Sequence, residues 1–325
     1  MERLRVSILG AGKIAATMAD TLSRMDDVIP YAVAARDLDR AQSFAGQYGF
    51  QKAYGSYEEM LRDDGTDLVY IATPHSHHYQ HALLCLNHGR HVLCEKAFTV
   101  NRKQAEEVFA LAEQKGLLIT EAVWTRYMPF AQKLRELLDS GILGTLCSLE
   151  AGFGFELSWH ERLVDPVLAG GALLDLGIYP LTFAAIAFGG DLASVTSRAV
   201  KTERGVDAQN SMILEYRDGR IAMLTSSMVC NLRNEATVYG TKGHLTLKDF
   251  WHAEEIRVYV DGEDEPRIVP APVEISGYEY EVRACAKAIA EKRTECPELP
   301  RAETLRMMGL MDSLRESWGV RYPME

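Results

Sequence analysis

The sequence predicts an α/β protein in which a doubly wound parallel sheet is followed by an α+β domain with an open, mainly antiparallel sheet. Three observations predict this fold class. A glycine pattern follows the first apolar strand, short β-branched runs then alternate with helical patterns to about residue 123, and successive strand candidates occupy residues 192–262. The 325 residues suffice for two domains of roughly 100–200 residues each. We place these domains at residues 1–123 and 124–325.

The first part alternates strands with helices. Strand candidates begin with "RVSILG" and "PYAVAA" and continue with "DLVYIAT", "HVLCEK" and "LLITEAV". Each of the first four precedes an apolar pattern of helical spacing, at 13–25, 38–49, 78–89 and 102–116. Such alternation is typical of βαβ units in a parallel sheet, and the continuously apolar strands indicate burial on both faces.

The pattern changes after about residue 125. A helix is predicted at 129–140, a strand at 145–157 and a very apolar segment at 170–190. The strand candidates that follow include "RDGR", an Asp-Gly hairpin signal at 217–220. Two helices, near 276–292 and 300–317, follow the strands. The series of antiparallel strands predicts a second domain with an open sheet.

Composition excludes several classes of protein. A net charge of -11 disfavours a nucleic-acid partner, since such proteins are usually basic. The six cysteines contain no C-x-x-C pair, which favours reduced thiols over disulfides or a thiolate zinc site. We find no apolar run of about 18 residues, so we expect no membrane span. The N-terminus passes directly into a strand, and we expect a cytoplasmic protein.

The glycine pattern indicates a dinucleotide site. In "GAGKIA" the spacing G-x-G-x-x-A falls on Gly10, Gly12 and Ala15, which suit a tight turn, close approach of a pyrophosphate and close packing of helix on sheet. The phosphates are then bound at the positive end of the helix dipole. Ala11, Lys13 and Ile14 complete the predicted cofactor loop.

The end of the second strand favours NADP over NAD. An acidic residue that binds the ribose 2′-hydroxyl is expected there, but the sequence has Arg36, with Arg40 four residues further. A guanidinium can bind a 2′-phosphate through two hydrogen bonds. Asp37 belongs to the same cofactor segment, and we interpret it as the cap of the following helix rather than as a ribose ligand.

Four histidines occupy "TPHSHHYQH". The spacing of His77 and His81 raises the possibility of a zinc site, but no carboxylate or thiolate partner is near in sequence. Loops after strand ends line the ligand crevice of such sheets. We therefore favour packing and cofactor contact, and we predict no metal.

Four motifs together, the glycine loop with "CEKA", "EAVWTRYMP" and "AGGALLDLGIYPL", resemble the glucose-fructose oxidoreductase and inositol dehydrogenase (Gfo/Idh/MocA) family. Within it the chain is most similar to the dimeric dihydrodiol dehydrogenase subgroup and its NADP-dependent sugar-dehydrogenase relatives. The resemblance covers nearly the whole chain. It implies a homodimer formed through the second sheet, and it places the NADP-binding arginines of the subgroup on Arg36 and Arg40.

The resemblance also assigns roles near the nicotinamide. The family's Glu-Lys-Pro motif falls on Glu95, Lys96 and Ala97, so that the proline is replaced, and Lys96 is implied beside the nicotinamide and the substrate hydroxyl. The T-P-x-x-x-H pattern falls on Thr73, Pro74 and His78, with His75 in the same cofactor-side loop. The substrate-side motif falls on Asp175, Gly177 and Tyr179, the tyrosine variant of the subgroup.

The residues support a catalytic interpretation independently. Asp175 and Tyr179 are four apart, so a helix would place them on one face, and polar groups in so apolar a segment need partners or perturbed pKa values. A nearby lysine lowers the pKa of a tyrosine. We therefore predict hydride transfer between a secondary alcohol and nicotinamide, in which Tyr179 moves the hydroxyl proton, Lys96 lowers its pKa and Asp175 holds the pair.

Further residues are candidates for ligand contact. Trp124, Phe153 and Phe155 can stack on a sugar ring or a cyclic diol, although core packing is an equal alternative. Arg162 is a candidate for the substrate crevice, and Arg126 for the nicotinamide side. Two rival functions stay open, a non-catalytic dinucleotide-binding regulator and an NAD-dependent sugar or inositol dehydrogenase.

Overall fold

A computed structural model describes residues 3–325, and the chain divides into two compact units. The first contains residues 3–124 and Ile275–Met308, and the second contains Thr125–Glu274 and Gly309–Glu325. The chain thus changes unit one residue after the predicted boundary. Residues 275–308 group with the first unit, whereas the sequence-based division assigns them to the second domain. The first two residues of the predicted first domain lie outside the described residues.

The first unit contains a six-stranded sheet in which every pairing is parallel. Its spatial order is β3-β2-β1-β4-β5-β6, so the direction of winding reverses between β1 and β4. This confirms the predicted doubly wound fold, in which ligands bind outside the carboxyl ends of the strands at that reversal. The strands are β1 Leu4–Leu9, β2 Val28–Ala34, β3 Lys52–Tyr54, β4 Leu68–Ile71, β5 His91–Glu95 and β6 Ile119–Ala122.

Local capping determines where most helices of this unit begin and end. Side-chain oxygens of Asp37, Ser56 and Asn101 accept backbone N–H groups at the starts of the second, third and fifth helices. Gly49 and Gly116, both with positive φ, end the second and fifth. The helices are α1 Lys13–Ser23, α2 Leu38–Tyr48, α3 Tyr57–Arg62, α4 His75–Asn87 and α5 Arg102–Lys115.

The sequence did not predict β3 and α3 of the first unit, and the sequence-based division assigned residues 275–308 to the second domain. The short β3 and α3 lack a strong apolar period, which explains why the sequence did not reveal them. The later helix α9 (Glu279–Ala290) packs against β5. The last long helix, α10 (Arg301–Trp318), contributes its residues up to Met308 to this unit.

The second unit contains an eight-stranded sheet in the order β14-β13-β12-β11-β7-β10-β9-β8. Only β7 and β10 pair in parallel, so the predicted open, mainly antiparallel sheet is confirmed. The predicted Asp-Gly hairpin joins β9 to β10. The strands are β7 Leu146–Gly154, β8 Leu192–Lys201, β9 Asp207–Tyr216, β10 Ile221–Ser227, β11 Glu235–Gly240, β12 Gly243–Lys248, β13 Glu255–Val260 and β14 Arg267–Pro270.

Three helices lie wholly in this unit, α6 Pro129–Asp139, α7 Glu161–Val164 and α8 Ile178–Phe188, and α10 contributes its residues from Gly309 onward. A π-helical turn, Leu173–Gly177, leads directly into α8, and both pack on the sheet. Pro166–Phe188 is long and apolar enough to cross a membrane by length and composition, with a mean hydropathy of 1.6, although we expected no such run. Of its most apolar window, 89% is buried inside the protein, as is usual for a core helix.

Candidate active site

The glycine loop has the conformation that its spacing predicts. Gly10 has a φ of 106°, and a Cβ there would lie 2.9 Å from the carbonyl oxygen of Ala72 at the end of β4. Gly12 begins α1 without a side-chain cap, and nothing lies within 4 Å of where its Cβ would be. Ala15 is fully buried. The open N-terminus of α1 at the β1/β4 reversal fits a pyrophosphate.

The two arginines after β2 lie at the same edge of the sheet. The Arg40 guanidinium donates two hydrogen bonds to the carbonyl oxygen of Ala11, from Nε at 3.1 Å and from Nη2 at 2.6 Å. Arg36 is exposed. Burial lowers the pKa of His77 on α4, and the charge of Arg36 lowers it further. Asp37 accepts the backbone N–H of Arg40 at 3.1 Å, which confirms its role as a helix cap.

The histidines of α4 have protein partners. The ring of His78 bridges two loops, with Nδ1 2.8 Å from the carbonyl oxygen of Ala97 and Nε2 2.7 Å from that of Thr73. His81 Nδ1 lies 3.0 Å from the hydroxyl of Thr73, and its ring stacks on His77. His75, which follows Pro74 as the first residue of α4, packs edge-on against His78. Across residues 3–325 no group of three or more His, Cys, Asp or Glu side chains could hold a metal.

Lys96 follows β5 and is half-buried. Glu95 accepts the backbone N–H of Lys96 through Oε2 at 3.1 Å, and its Oε1 accepts the hydroxyl of the fully buried Tyr70. The peptide bond between Lys96 and Ala97 is cis. Because His78 contacts the Ala97 carbonyl, the backbone on both sides of Lys96 is held by buried polar groups.

A buried acid that no sequence motif indicates lies behind this loop. Glu281 of α9 is fully buried, and neither of its carboxylate oxygens has a hydrogen-bond partner among the described residues. Burial raises the pKa of Glu281 well above its ordinary value, and the negative charge of Glu95 raises it further. Both effects favour the neutral, protonated form of Glu281.

In the second unit, Asp175 lies on the π-helical turn and Tyr179 on the first turn of α8. The sequence predicted an ordinary helix through both residues; the π turn is a local widening that often occurs at functional sites. Arg162 of α7 holds Asp175 through two hydrogen bonds, from Nη1 at 3.1 Å and from Nη2 at 3.4 Å. The sequence predicted Arg162 as a substrate contact. In the structure its guanidinium pairs with Asp175, which lies 13 residues further along the chain.

Aromatic rings form one wall beside Tyr179. The ring centroid of Phe153 lies 4.9 Å from that of Tyr179 and 4.6 Å from that of Trp251, and Phe155 packs edge-on against both Phe153 and Trp251. Trp251 was missed because it lies in a short loop with no motif around it. The wall brings together residues from β7, α8 and the loop after β12.

The remaining candidates lie elsewhere. Trp124 stacks on Tyr278 within the first unit, with ring centroids 4.3 Å apart, and is nearly buried. Arg126 is half-buried in a 3₁₀ turn. The glycine loop, the two arginines, the α4 histidines and Lys96 therefore belong to the first unit, along the carboxyl ends of its strands, whereas Asp175, Tyr179, Arg162 and the aromatic wall belong to the second.

Two family models match the chain. The model described as an oxidoreductase family with an NAD-binding Rossmann fold matches residues 4–123, and the model of the GFO/IDH/MocA C-terminal domain matches residues 131–246. Trans-1,2-dihydrobenzene-1,2-diol dehydrogenase of Mus musculus is 38% identical over 333 residues, which cover 99% of each chain. The protein of the same name from Homo sapiens is 36% identical over 334 residues, again 99% of each.

Solved structures show the same fold. KijD10, a 3-ketoreductase from Actinomadura kijaniata in complex with NADP and TDP-benzene, has a TM-score of 0.88, 27% identity and coverage of 97% of each chain. An aldose-aldose oxidoreductase from Caulobacter crescentus also has a TM-score of 0.88 and covers 97% of each chain. Its identity is 21%, so it supports the fold alone.

Proposed function

This chain belongs to the GFO/IDH/MocA family of NAD(P)-dependent oxidoreductases, and we propose that it is an NADP-dependent dehydrogenase of cyclic vicinal diols. In the oxidation direction a secondary alcohol loses a hydride from its carbon and a proton from its hydroxyl, and a carbonyl group forms. The observation that carries this proposal is the arrangement of Tyr179, Asp175 and Arg162 beside an aromatic wall, in a chain that also contains a cofactor loop.

The residues of the first unit fit a dinucleotide. Gly10 and Gly12 leave the N-terminus of α1 accessible, and its N–H groups bind the pyrophosphate. Arg36 and Arg40 would hold the 2′-phosphate, since Arg36 stands where an NAD ribose requires an acid and Arg40 adds a second guanidinium. Arg40 is already oriented by the Ala11 carbonyl. A bound nicotinamide would supply the hydride acceptor for the alcohol, or the hydride donor for the carbonyl.

Proton transfer belongs to the residues of the chain. Tyr179 Oη takes the hydroxyl proton of the alcohol and returns it in the reverse direction. The ammonium group of Lys96 orients the substrate oxygen and favours its deprotonated form. Asp175, held by Arg162, keeps the catalytic groups in position.

The substrate class follows from the wall of Phe153, Phe155 and Trp251. Phe155 and Trp251 are half-buried and pack on the buried Phe153, and their apolar rings suit a planar carbocycle that carries two hydroxyl groups better than a fully hydroxylated sugar. The relatives named above as trans-1,2-dihydrobenzene-1,2-diol dehydrogenases support the same class. A sugar is the second substrate class, and the same assay decides between them.

The test is NADP reduction with trans-1,2-dihydrobenzene-1,2-diol and with a panel of aldoses. We expect turnover of the diol, and a loss of about 10²- to 10⁴-fold in kcat for Tyr179→Phe and Lys96→Ala, as is usual when a proton-transfer group is removed. Tyr259→Phe, on the distant strand β13, is the matched control and should retain activity. Undiminished turnover in Tyr179→Phe would contradict the assigned role.

Cofactor preference is tested by Arg36→Ala. A charge-assisted hydrogen bond contributes about 1.5–3 kcal/mol, so we expect the Kd of NADP to rise roughly 10- to 150-fold while that of NAD changes little. Arg102→Ala is the control, because Arg102 is an exposed arginine paired with Glu106 on α5. Equal losses for NADP and NAD would refute the phosphate contact.

We also propose a homodimer formed through the open face of the second sheet. Its strands β8, β9 and β10 expose the apolar side chains Val200, Ile213, Ile221 and Met223, and a contiguous apolar patch favours association. Sedimentation analysis of the wild type and of Ile213→Glu/Met223→Glu tests this; a wild-type monomer would contradict it.

We further propose a cytoplasmic location. The six cysteines are free thiols, and Cys147 and Cys230 are exposed, a state that a reducing compartment preserves. Cell fractionation tests this assignment.

A further inference from the structure

A buried carboxylate lies directly under the turn that carries Asp175. Asp207, the first residue of β9, is fully buried. Its Oδ2 accepts the backbone N–H of Leu173 at 2.7 Å and the side-chain amide of Asn210 at 2.9 Å. Leu173 is the first residue of the π-helical turn. Asp207 therefore binds the free N–H group at the start of the turn, where negative charge is favourable.

The chain just before the turn is shaped for this contact. Gly171 has a φ of 119°, a conformation open to glycine, and a Cβ there would overlap Oδ1 of Asp207. The preceding carbonyl, that of Gly170, accepts the hydroxyl of Tyr322 at 2.6 Å. The two glycines thus let the backbone come close to Asp207. Hydrogen bonds hold the chain on both sides of Gly171, at the Gly170 carbonyl and at the Leu173 N–H.

The same network reaches the end of the turn. Asn210 accepts the hydroxyl of Ser226 through Oδ1 at 2.9 Å. A Cβ on Gly177 would lie 3.0 Å from Ser226 Oγ, so Ser226 packs against the last residue of the π turn. Asp207, Asn210 and Ser226 are all buried, and together they contact the turn at both ends.

The titratable groups near Asp207 do not provide another hydrogen-bond partner for its carboxylate. Arg315 of α10 acts on it at longer range, and Tyr322 is the other titratable group beside it. Its Oδ1 has no hydrogen-bond partner among the described residues. Within residues 3–325 the carboxylate accepts hydrogen bonds from Leu173, from Asn210 and from its own backbone N–H. A buried acid is costly, and this one is used to hold the turn.

We propose that Asp207 is a positioning residue of the active site, which holds the π-helical turn so that Asp175 and Tyr179 are presented in their working orientation. The inference rests on the proposed function only for the roles of Asp175 and Tyr179. It assigns to β9 and β10 a part in catalysis that no motif in the sequence indicates.

The test compares Asp207→Ala, which removes the acceptor, with Asp207→Asn, whose carbonyl oxygen can still accept both donors. For Asp207→Ala we expect kcat to fall about 10- to 100-fold, the size expected when two hydrogen bonds are lost together, with the Kd of NADP unchanged. Amides 173–179 should exchange at least about tenfold faster while other core segments keep their protection. Asp207→Asn should restore both kcat and the slow exchange of amides 173–179. Asp218→Ala, in the β9–β10 turn, is the control and should change neither.

Several outcomes would overturn the inference. They are unchanged exchange at 173–179 in Asp207→Ala, equal loss of activity in both Asp207 variants, or a uniform rise in exchange throughout the second unit. If Asp207→Ala does not fold, Asn210→Ala removes the amide that holds the carboxylate, and we expect the same local effect at smaller size. If the wild type turns over no substrate, the proposed function fails, and the exchange measurement still decides the role of Asp207.

Discussion

The titration of His78 should control the stability of the loop that carries Lys96. The ring is fully buried between the carbonyl oxygens of Thr73 and Ala97. Burial lowers the pKa of His78 from 6.5 to about 4, against the two carbonyl contacts, which favour the protonated ring. The folded protein therefore binds fewer protons at His78 than the unfolded chain does between about pH 4 and 6.5.

This difference in bound protons sets the direction and the size of the pH effect on the free energy of unfolding. The stabilisation is complete above pH 6.5 and is lost as the pH falls toward 4. A fall in the pKa of His78 from 6.5 to about 4 corresponds to about 3 kcal/mol in the free energy of unfolding. Other histidines, including His77, His81 and His91, also have lowered pKa values, so the contribution of His78 must be isolated by substitution.

Urea unfolding at several pH values between 4 and 7 measures it. His78→Gln keeps a donor but cannot take up a proton, so its free energy of unfolding should lie below that of the wild type at pH 7. The difference in the free energy of unfolding between the wild type and His78→Gln should shrink by about 3 kcal/mol as the pH is lowered from 7 to 4. His160→Gln, at a half-exposed histidine stacked on Trp159, is the control and should follow the wild type. A gap that does not change with pH, or an NMR titration that gives His78 a pKa above 6.5, would refute the reasoning.

Three other predictions concern the two units separately. Trp251→Ala removes a ring of the aromatic wall, and we expect the KM of the diol to rise about tenfold in steady-state assays, with the KM of NADP unchanged. Arg162→Ala removes the two hydrogen bonds that orient the Asp175 carboxylate, so kcat should fall, and Arg162→Lys should restore only part of it because lysine cannot pair through two N–H groups; full activity in Arg162→Ala would exclude the pair from the reaction. Glu281→Gln replaces an acid whose pKa is raised by burial, so wild-type stability should fall relative to the variant as the pH rises, and parallel urea unfolding curves from pH 5 to 9 would contradict this.

Helix caps, turns and the periodicity of apolar residues could be predicted because they depend on residues close in sequence. The glycine loop, the Asp37 cap and the Asp-Gly hairpin each need only a few consecutive residues to have their conformation. The alternation of strands and helices likewise predicted the parallel sheet. Tyr179 and Lys96 were recognised from short motifs, and their roles remain predictions.

The pairings that complete the site join residues far apart in the chain. Trp251 meets Phe153 across 98 positions, Asp207 binds Leu173 across 34, and α9 places Glu281 behind β5 near Glu95. No local pattern marks these residues, since a buried acid or a loop tryptophan looks ordinary until its neighbours are known. The sequence by itself therefore determined the fold class, the cofactor loop and the candidate catalytic side chains. Only the tertiary structure decided what holds those side chains in place, because burial and hydrogen bonding between distant segments arise when the chain packs.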